Sequence, residues 1–510
     1  MPVEKNPAPD PHSEPSKAVF DFEGRSLEGI AGEPIAKSLF RAGIRILSYS
    51  VKYHRPRGIH CGRGRCGMCH MEVDGIPGIP TCNTPLENGM KIRRQDFRPF
   101  FAPVLTAAAR RFPLPAGFYY RRFTKPVFLK NLFMDSLRKM AGVGRVTLDE
   151  EERLAGIIPD CLGTFDRIKP HYDVIVVGAG LSGMSAALSA ASSVSGKRGD
   201  ASGPQRNEAE QDNMRILLMD EYPNPGGHSI GHQDDSGLLN KRDDLAREVA
   251  EHPLIHVASG TLAQGFYPPS TILIAPTGGS IASAQGMKQV TARAFIFATG
   301  AYDIIPLFEN NELPGIFGSR AARLFLERDG YSLGKTAAVY GTGAELERTV
   351  SLLLSKSIDI TAVVEAGANP RETPARGSVP ESVQRISNAH LVSANGKRWI
   401  DSATLITEAG RGERITLRCN MLCTAFRGQP AYELPHQAKF NFSLSDDVLD
   451  EERIMIPDEV ERRDATGTAC ILAGEAAGET NWRRKIEQGK EAGEKAANAA
   501  SAIKETGEKA

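Results

Sequence analysis

The run HYDVIVVGAGLSGMSAALSAAS, residues 171–192, decides the fold. DVIVV is short, apolar and β-branched, the composition of a strand buried on both faces of a parallel sheet. Gly178, Gly180 and Gly183 follow it as GxGxxG, and the segment after them opens a helix. Strand, glycine turn and helix in this order are the fingerprint of a dinucleotide-binding unit. The first glycine permits the tight turn, the second lets a pyrophosphate approach the backbone, and the third lets helix and strand pack closely. The helix N-terminus adds N–H groups and the positive end of its dipole. RILLMDE resumes the sheet and ends in Asp220 and Glu221. Glu221 is the candidate for the ribose hydroxyls and Asp220 its rival. The acid stands farther from Gly183 than the usual ~20 residues, because the polar insert SSVSGKRGDASGPQRNEAEQDNM intervenes. A glycine turn without a ligand is the bland alternative.

Later segments extend the pattern. Thr299 and Gly300, in ATG, end a buried strand, and Gly474 and Glu475, in AGE, end another. KTAAVYGTGAELERTVSLLLSKSIDITAVVE repeats strand, turn, helix and strand, with Gly341 and Gly343 in the turn and Glu365 at the close. Leu346 stands where a third glycine is expected, so close helix–strand packing is not secured there. Glu365 would favour an unphosphorylated ribose. The second copy therefore reads either as a nicotinamide site or as a fold half kept for packing.

Upstream, four cysteines lie in HCGRGRCGMCHMEVDGIPGIPTCN: Cys61, Cys66, Cys69 and Cys82. Their spacing, C-x4-C-x2-C-x12-C, is the plant-type arrangement for a [2Fe–2S] cluster. Gly62, Gly64 and Gly67 let the loop bend so that the thiolates converge, and Arg63 and Arg65 place positive charge beside a net-negative centre. Structural zinc usually takes two close ligand pairs, and here there is one pair plus outliers. AVFDFEG and RSLEGIAG read as a strand pair, GEPIAKSLFRAGI as a helix and GMKIRRQ as a closing strand, the order of a ferredoxin-like β-grasp.

The fold class is thus α/β: two Rossmann-like dinucleotide-binding domains preceded by a ferredoxin-like β-grasp [2Fe–2S] domain. Expected boundaries are a disordered tail over 1–17, the cluster domain over 18–96, a connector over 97–168, a first dinucleotide domain over 169–305 and 420–510, and a second over 306–419. The chain has 510 residues with Lys plus Arg and Asp plus Glu equal at 62 each. Zero net charge gives no global electrostatic case for nucleic acid. The connector nevertheless carries Arg110, Arg111, Arg121 and Arg122 beside Phe118, Tyr119 and Tyr120. That mixture suits a docking surface for a partner better than a nucleic-acid site. Eight cysteines, four of them claimed by the cluster, and a polar N-terminus without an apolar core suggest a reducing, cytoplasmic setting. No stretch is apolar enough to predict a membrane span. Cys419 and Cys423, in CNMLC, and Cys470 read as core thiols.

The order and wording of these motifs resemble a known family. SYSVKYHRPRGI, LPAGFYYRRF, RKMAGVGRV, DVIVVGAGLSGMSAAL and ATGAYDIIPLFENNELPGIF are similar to the N-terminal half of the alpha subunit of heterotetrameric sarcosine oxidase. With the four cysteines, the chain also resembles subunits of opine, proline and hydroxyproline dehydrogenases and of hydrogen cyanide synthase. The resemblance is to the half that precedes the folate-binding half of the sarcosine oxidase subunit. The resemblance implies a beta-type, FAD-dependent partner that oxidises the amine, with small subunits as further partners, and an alpha-type chain that passes electrons on to an acceptor. It implies FAD, or NAD, at Gly178, Gly180, Gly183 and Glu221, with the ATG and AGE motifs favouring FAD, and FMN at the interface with the partner. In two-domain flavoproteins the late motif ends in Asp and holds the ribityl chain; Glu475 takes that place here. No catalytic acid or base is visible. The expected function is electron transfer from flavin to a [2Fe–2S] cluster within an amine or amino-acid oxidoreductase. A self-contained NAD(P)H-dependent reductase and a scaffold with a structural dinucleotide are the alternatives.

Overall fold

A computed structural model describes residues 16–50, 55–95, 128, 130–131, 165, 167–196, 214–222, 224–231, 236–277, 287–366, 380–381, 383–407, 412–445 and 453–507. Most of the expected tail, nearly all of the connector, Cys161 and most of the polar insert lie outside these residues. The chain divides into two compact units, Met1–Arg153 with Glu312–Pro314, and Leu154–Asn311 with Gly315–Ala510.

The first unit holds a five-stranded sheet in the order Arg25–Ile30, Lys17–Phe22, Lys91–Arg93, His70–Val73, Ile76–Pro80. Its first hairpin turns at Glu23 and Gly24, both at positive φ. The helix Ile35–Arg41 buries Ile35, Leu39 and Phe40, the i, i+4 and i+5 positions of one face. The hairpin between Cys69 and Cys82 is an element the sequence reading passed over, because IPGIP carries two prolines. Its signal was Asp74–Gly75, both at positive φ, as a two-residue hairpin turn of the primed type requires.

The second unit is built on two sheets. In the larger, eight-stranded sheet, Ile255–Ser259, Ile216–Asp220, His171–Val177 and Lys288–Phe297 lie side by side in parallel. The long strand Lys288–Phe297 then pairs with Thr271–Pro276 near its start and with Ala469–Leu472 near its end. Strand 171–177 is buried on both faces, as its unbroken apolar run requires. Val174 and Val176 face a helical layer that includes Met184, Ala187 and Ala496, while Ile175 and Val177 face Phe266, Phe295 and Phe297.

The helix Leu181–Gly196 is rich in Ser, Ala and Gly because the C-terminal helix Trp482–Gly507 lies hard against it. A Cβ at Gly489 would stand 2.3 Å from the Ser182 carbonyl oxygen, and one at Gly493 would stand 2.2 Å from that of Ala186. Only glycine allows the two backbones this approach. The second sheet is five-stranded and parallel, in the order Ile316–Gly318, Met421–Ala425, Thr336–Gly341, Asp359–Glu365, Gln384–Ile386. Strand Met421–Ala425 thus pairs within the second sheet, beyond the expected boundary at 419. The intervening strands Ala389–Asn395, Ser402–Thr407 and Arg414–Arg418 form a separate antiparallel sheet.

Candidate functional site

The first glycine turn sits at the C-terminal edge of the parallel strands of the large sheet, where open α/β folds bind their ligands. Its three glycines differ in what holds them. Gly178 has φ +103°, and a Cβ there would lie 2.2 Å from the Ala298 carbonyl oxygen. A Cβ at Gly183 would lie 1.8 Å from the carbonyl oxygen of Gly178. Both are glycine because the protein's own backbone closes on them. At Gly180 a Cβ would meet nothing within 4 Å. Neither strain nor internal packing requires glycine at Gly180, so the open space above it is a cradle that fits a pyrophosphate. A Cβ at Gly227, from the Pro225–Gly226–Gly227–His228 segment, would stand 3.1 Å from the Gly180 Cα and so marks a wall of that space.

The two candidate ribose acids have separate surroundings. Asp220 is buried, and its carboxylate accepts the Ala179 N–H at 2.6 Å and the Tyr222 N–H at 2.9 Å. It fastens the glycine turn to the neighbouring strand. Glu221 follows, half-buried, just past the strand end. Gly300, at φ +74°, lies close to His228 and Glu475, and the Thr299 hydroxyl donates to the Ala431 carbonyl at 3.2 Å.

Glu475 is held by its own chain. Its carboxylate receives Lys485 Nζ at 2.9 Å, lies 2.5 Å from His228 Nδ1 and 3.7 Å from Arg320. Burial alone would raise its pKa, but Lys485, His228 and Arg320 together hold it well below the usual carboxylate range. Arg320 also donates to the Phe426 carbonyl and pairs with Asp303 at 3.5 Å. Lys485 and Arg320 meet Oε1 and His228 meets Oε2, so these cations leave Glu475 one lone-pair position, on Oε2, with which to accept a ligand hydroxyl. His228, Arg320 and Lys485 were not read as site residues from the sequence. The Gly226–Gly227–His228 run was a usable signal; Arg320 had none, because it reaches Glu475 from a distant element, and Lys485, ten residues on in the next helix, belongs to no recognised motif.

The second glycine turn differs. A Cβ at Gly341 would lie 2.0 Å from the Ala425 carbonyl oxygen, and Gly343 starts the helix Gly343–Ser355 at φ +53°. Leu346 is 4% exposed and packs the helix down without a third glycine. Glu365 accepts from Ser387 Oγ at 2.8 Å and Arg385 Nη1 at 3.2 Å. The acid expected to read a ribose is thus already paired.

In the first unit the four cysteine thiols are linked in a chain of neighbours. Cys61 is within hydrogen-bonding reach of Cys66 and Cys82, and Cys82 of Cys69. Proton sharing with Cys66 and Cys82 pulls Cys61 down, while contact with Cys61 pushes Cys66 up. Among the described residues no His, Cys, Asp or Glu group closes around one point as a single-ion site does. A two-iron cluster asks for something else: two thiolates on each of two irons. The neighbouring pairs Cys61–Cys66 and Cys69–Cys82 fit that demand. The Arg63 N–H points to Cys61 Sγ at 3.4 Å and the Gly64 N–H to Cys82 Sγ at 3.2 Å. Gly62, Gly64 and Gly67 all have positive φ, which turns those amides inward. Cys69 and Cys82 are each 1% exposed, whereas Cys66 is exposed, so the Cys61–Cys66 edge faces solvent.

The fold and sites define a class of protein: a chain with an N-terminal [2Fe–2S] domain followed by two dinucleotide-type domains. Residues 17–96 match the 2Fe-2S iron-sulfur cluster binding domain family. Over 78% of its length the chain is 26% identical to the sarcosine oxidase subunit alpha of Rhizobium meliloti (strain 1021), and over 84% it is 23% identical to that of Corynebacterium sp. (strain U-96). The chain spans about two-fifths of these relatives, 38% and 39% of their lengths. Eighty residues, 16% of the chain, are 28% identical to the hydrogen cyanide synthase subunit HcnA of Pseudomonas aeruginosa and cover 76% of it. The crystal structure of L-proline dehydrogenase from P. horikoshii superposes with a TM-score of 0.59 at 18% identity, covering 94% of this chain and 73% of that one. The chain resembles the alpha subunit of sarcosine oxidase, with the expected two-domain dinucleotide fold behind a [2Fe–2S] domain.

Proposed function

We propose that the chain is the electron-transferring, alpha-type subunit of a heteromeric flavin-dependent oxidoreductase acting on an amine or amino acid. One observation carries the reading: a single chain joins a four-cysteine one-electron site to a nucleotide cradle at Gly180. When bound, a flavin supplies the conversion between two-electron and one-electron chemistry that such a pairing requires. The chain's own residues supply position and charge. Gly178 and Gly183 shape the turn, Gly180 leaves room for the pyrophosphate, Asp220 fixes the loop and Glu221 faces the ribose. Cys61, Cys66, Cys69 and Cys82 would hold the cluster. The inward-pointing amides would raise its potential, because N–H groups aimed at sulfur favour the reduced, more negative state.

The oxidation of the C–N bond belongs, in this reading, to a beta-type partner with its own FAD, and sarcosine, proline or an opine are the substrates to try. FAD is preferred to NAD at the first turn, on the ATG and AGE motifs. FMN at the partner interface and a cytoplasmic setting complete the proposal. A self-contained NAD(P)H-dependent reductase is less well supported, because Glu365 is paired to Arg385 and Ser387 and Leu346 replaces the third glycine. Purified chain mixed with sarcosine or proline and an artificial dye should give no turnover, and turnover should appear on adding the beta-type subunit. Robust turnover by the isolated chain would overturn the division of labour.

A further inference from the structure

Between Glu33 and Glu72 the sequence carries eight Lys and Arg residues and no Asp or Glu, in a chain whose total charge is zero. Three of the four cluster cysteines lie in this stretch. The fold gathers part of its charge at the cluster loop. Arg63 and Arg65 stand between Cys61 and Cys66, Arg63 half-exposed and Arg65 exposed. Arg57 is brought alongside by the short hairpin Ser48–Tyr49 and Pro56–Arg57. There Arg57 stands opposite Ser48, whose hydroxyl donates to the Met68 carbonyl of the cluster loop at 2.7 Å. The acids that bound the stretch are occupied: Glu33 takes Arg41 through both oxygens at 2.7 Å, and Glu72 takes Arg93 at 2.5 Å. Arg55 pairs with Glu312. The opposite sign collects away from the loop. Asp74 follows the strand His70–Val73, about 15 Å along it from Cys69. Partial burial and then the charge of Asp74 raise the Glu87 pKa, which places these two acids together.

The thiols are one-sided in the same sense. Cys69 and Cys82 are sealed, while the Cys61–Cys66 edge faces solvent, so an electron crosses the edge that the arginines surround. A [2Fe–2S] centre on four thiolates is net negative. A carrier with an acidic face would be repelled by it unless that charge were covered, and Arg57, Arg63 and Arg65 cover it. We propose that this edge is the docking surface for a separate one-electron carrier protein with an acidic face. The proposal rests on the reading of the loop as an electron-transferring [2Fe–2S] site. In the docked pair one electron passes from the reduced cluster to the carrier, the cluster returns to its diferric state, and no proton or bond moves. Long-lived interfaces are apolar at their core, whereas a rim of arginines suits the transient encounter of redox proteins. Charge separated along the domain also steers the approach, so that an acidic partner meets the cluster edge first.

Stopped-flow reoxidation of the full chain, its cluster assembled and reduced, tests this with two probes of one fold. They are basic cytochrome c and the same protein succinylated at its lysines, which makes it acidic. At low ionic strength the acidic form should oxidise the cluster about tenfold faster. The advantage should vanish in about 0.5 M salt, where charges are screened within about 4 Å. Arg63→Glu and Arg65→Glu should each lower the ratio of the two rates severalfold, and the double variant should invert it. The ratio is the readout because a change of cluster potential alters both rates alike. Lys91→Glu, the same charge change beside Asp74, should leave the ratio unchanged. Iron and sulfide content and the paramagnetic resonance of the reduced cluster report that each variant keeps its centre. No preference in the wild type, an unchanged ratio in the double variant, or an equal effect of Lys91→Glu overturns the proposal. Sedimentation with phosphatidylserine vesicles, without a preference between the cytochromes, would assign the cations to a membrane surface and overturn it too. A chain that takes up no iron and sulfide overturns the functional reading together with this proposal. A cluster that assembles and is reoxidised without charge preference overturns the docking surface alone.

Discussion

At the scale of single residues, the three glycines of the first turn make separable predictions. Gly180→Ala should leave the fold intact, since nothing stands within 4 Å of the added Cβ, and the bulkier Gly180→Leu should be purified without nucleotide, as read by absorbance and mass of the released cofactor. Gly178→Ala and Gly183→Ala should instead destabilise the chain, by about 1–3 kcal/mol or more from overpacking, measured by denaturant unfolding. The buried acids give a pH signature. Glu345 is drawn down from 4.5 to about 2, since Arg320, Arg348, Ser319 and Arg323 outweigh the upward effect of burial. Its ionised form therefore contributes stability that is complete above pH 4.5 and lost as the pH falls towards 2. Glu475 acts in the same direction. Glu345→Gln should lower the melting temperature at neutral pH and flatten its fall between pH 4.5 and 2; an unchanged slope would mean that the acid is not held as described. Burial pushes the thiols of Cys419 up to about 11 and of Cys470 up to about 12, and that of Cys423 higher still. Iodoacetamide at pH 8 should therefore label apo-protein at Cys61, whose half-exposed thiol is drawn down by Cys66 and Cys82, and spare these three, as peptide mapping would report. The glycines and the cysteines stand out in the sequence because each occupies a fixed offset in a local motif, and Glu221 only because it closes a buried strand. The hold of Arg320, Lys485 and His228 on Glu475 does not, because those side chains converge from three separate elements and no spacing records that.

Elements were legible where period and punctuation agreed. The strand 171–177, its turn and its helix could be read because a buried parallel strand leaves an unbroken apolar run and the turn demands glycine. The hairpin His70–Val73 and Ile76–Pro80 was hidden, because its prolines argue against a strand unless the Asp74–Gly75 turn is given more weight. Met421–Ala425 is another instance: its apolar run is plain, but only pairing with Thr336–Gly341 and Ile316–Gly318 assigns it to the second sheet. The composition of the helix pair 181–196 and 482–507 makes sense only in the folded molecule. Gly493→Val would drive a side chain into the Ala186 carbonyl, 2.2 Å from the new Cβ. The helices should separate, with a loss of about 1–3 kcal/mol. Because helix 181–196 also begins the first turn, retention of the nucleotide should fall with it. A variant that kept both its melting temperature and its cofactor would show that the contact is not limiting.

At the scale of the whole molecule, the chain brings together two kinds of site that make functional sense in combination. Its [2Fe–2S] domain and its dinucleotide domains are separate folds, each with its own core. No helix among the described residues is long and apolar enough to cross a membrane. The central claim is that electrons taken from an amine by a partner pass through this chain's cluster. Electron paramagnetic resonance of the complex with its beta-type subunit, frozen at intervals after anaerobic mixing with substrate, tests that claim most directly. The account predicts about two iron and two sulfide per chain, with one iron for each pair of thiolates, and a reduced-cluster signal that grows within the time of one turnover and disappears when an acceptor is added. A cluster that stays oxidised while substrate is consumed, or a chain that binds zinc without sulfide at its four cysteines, would contradict it.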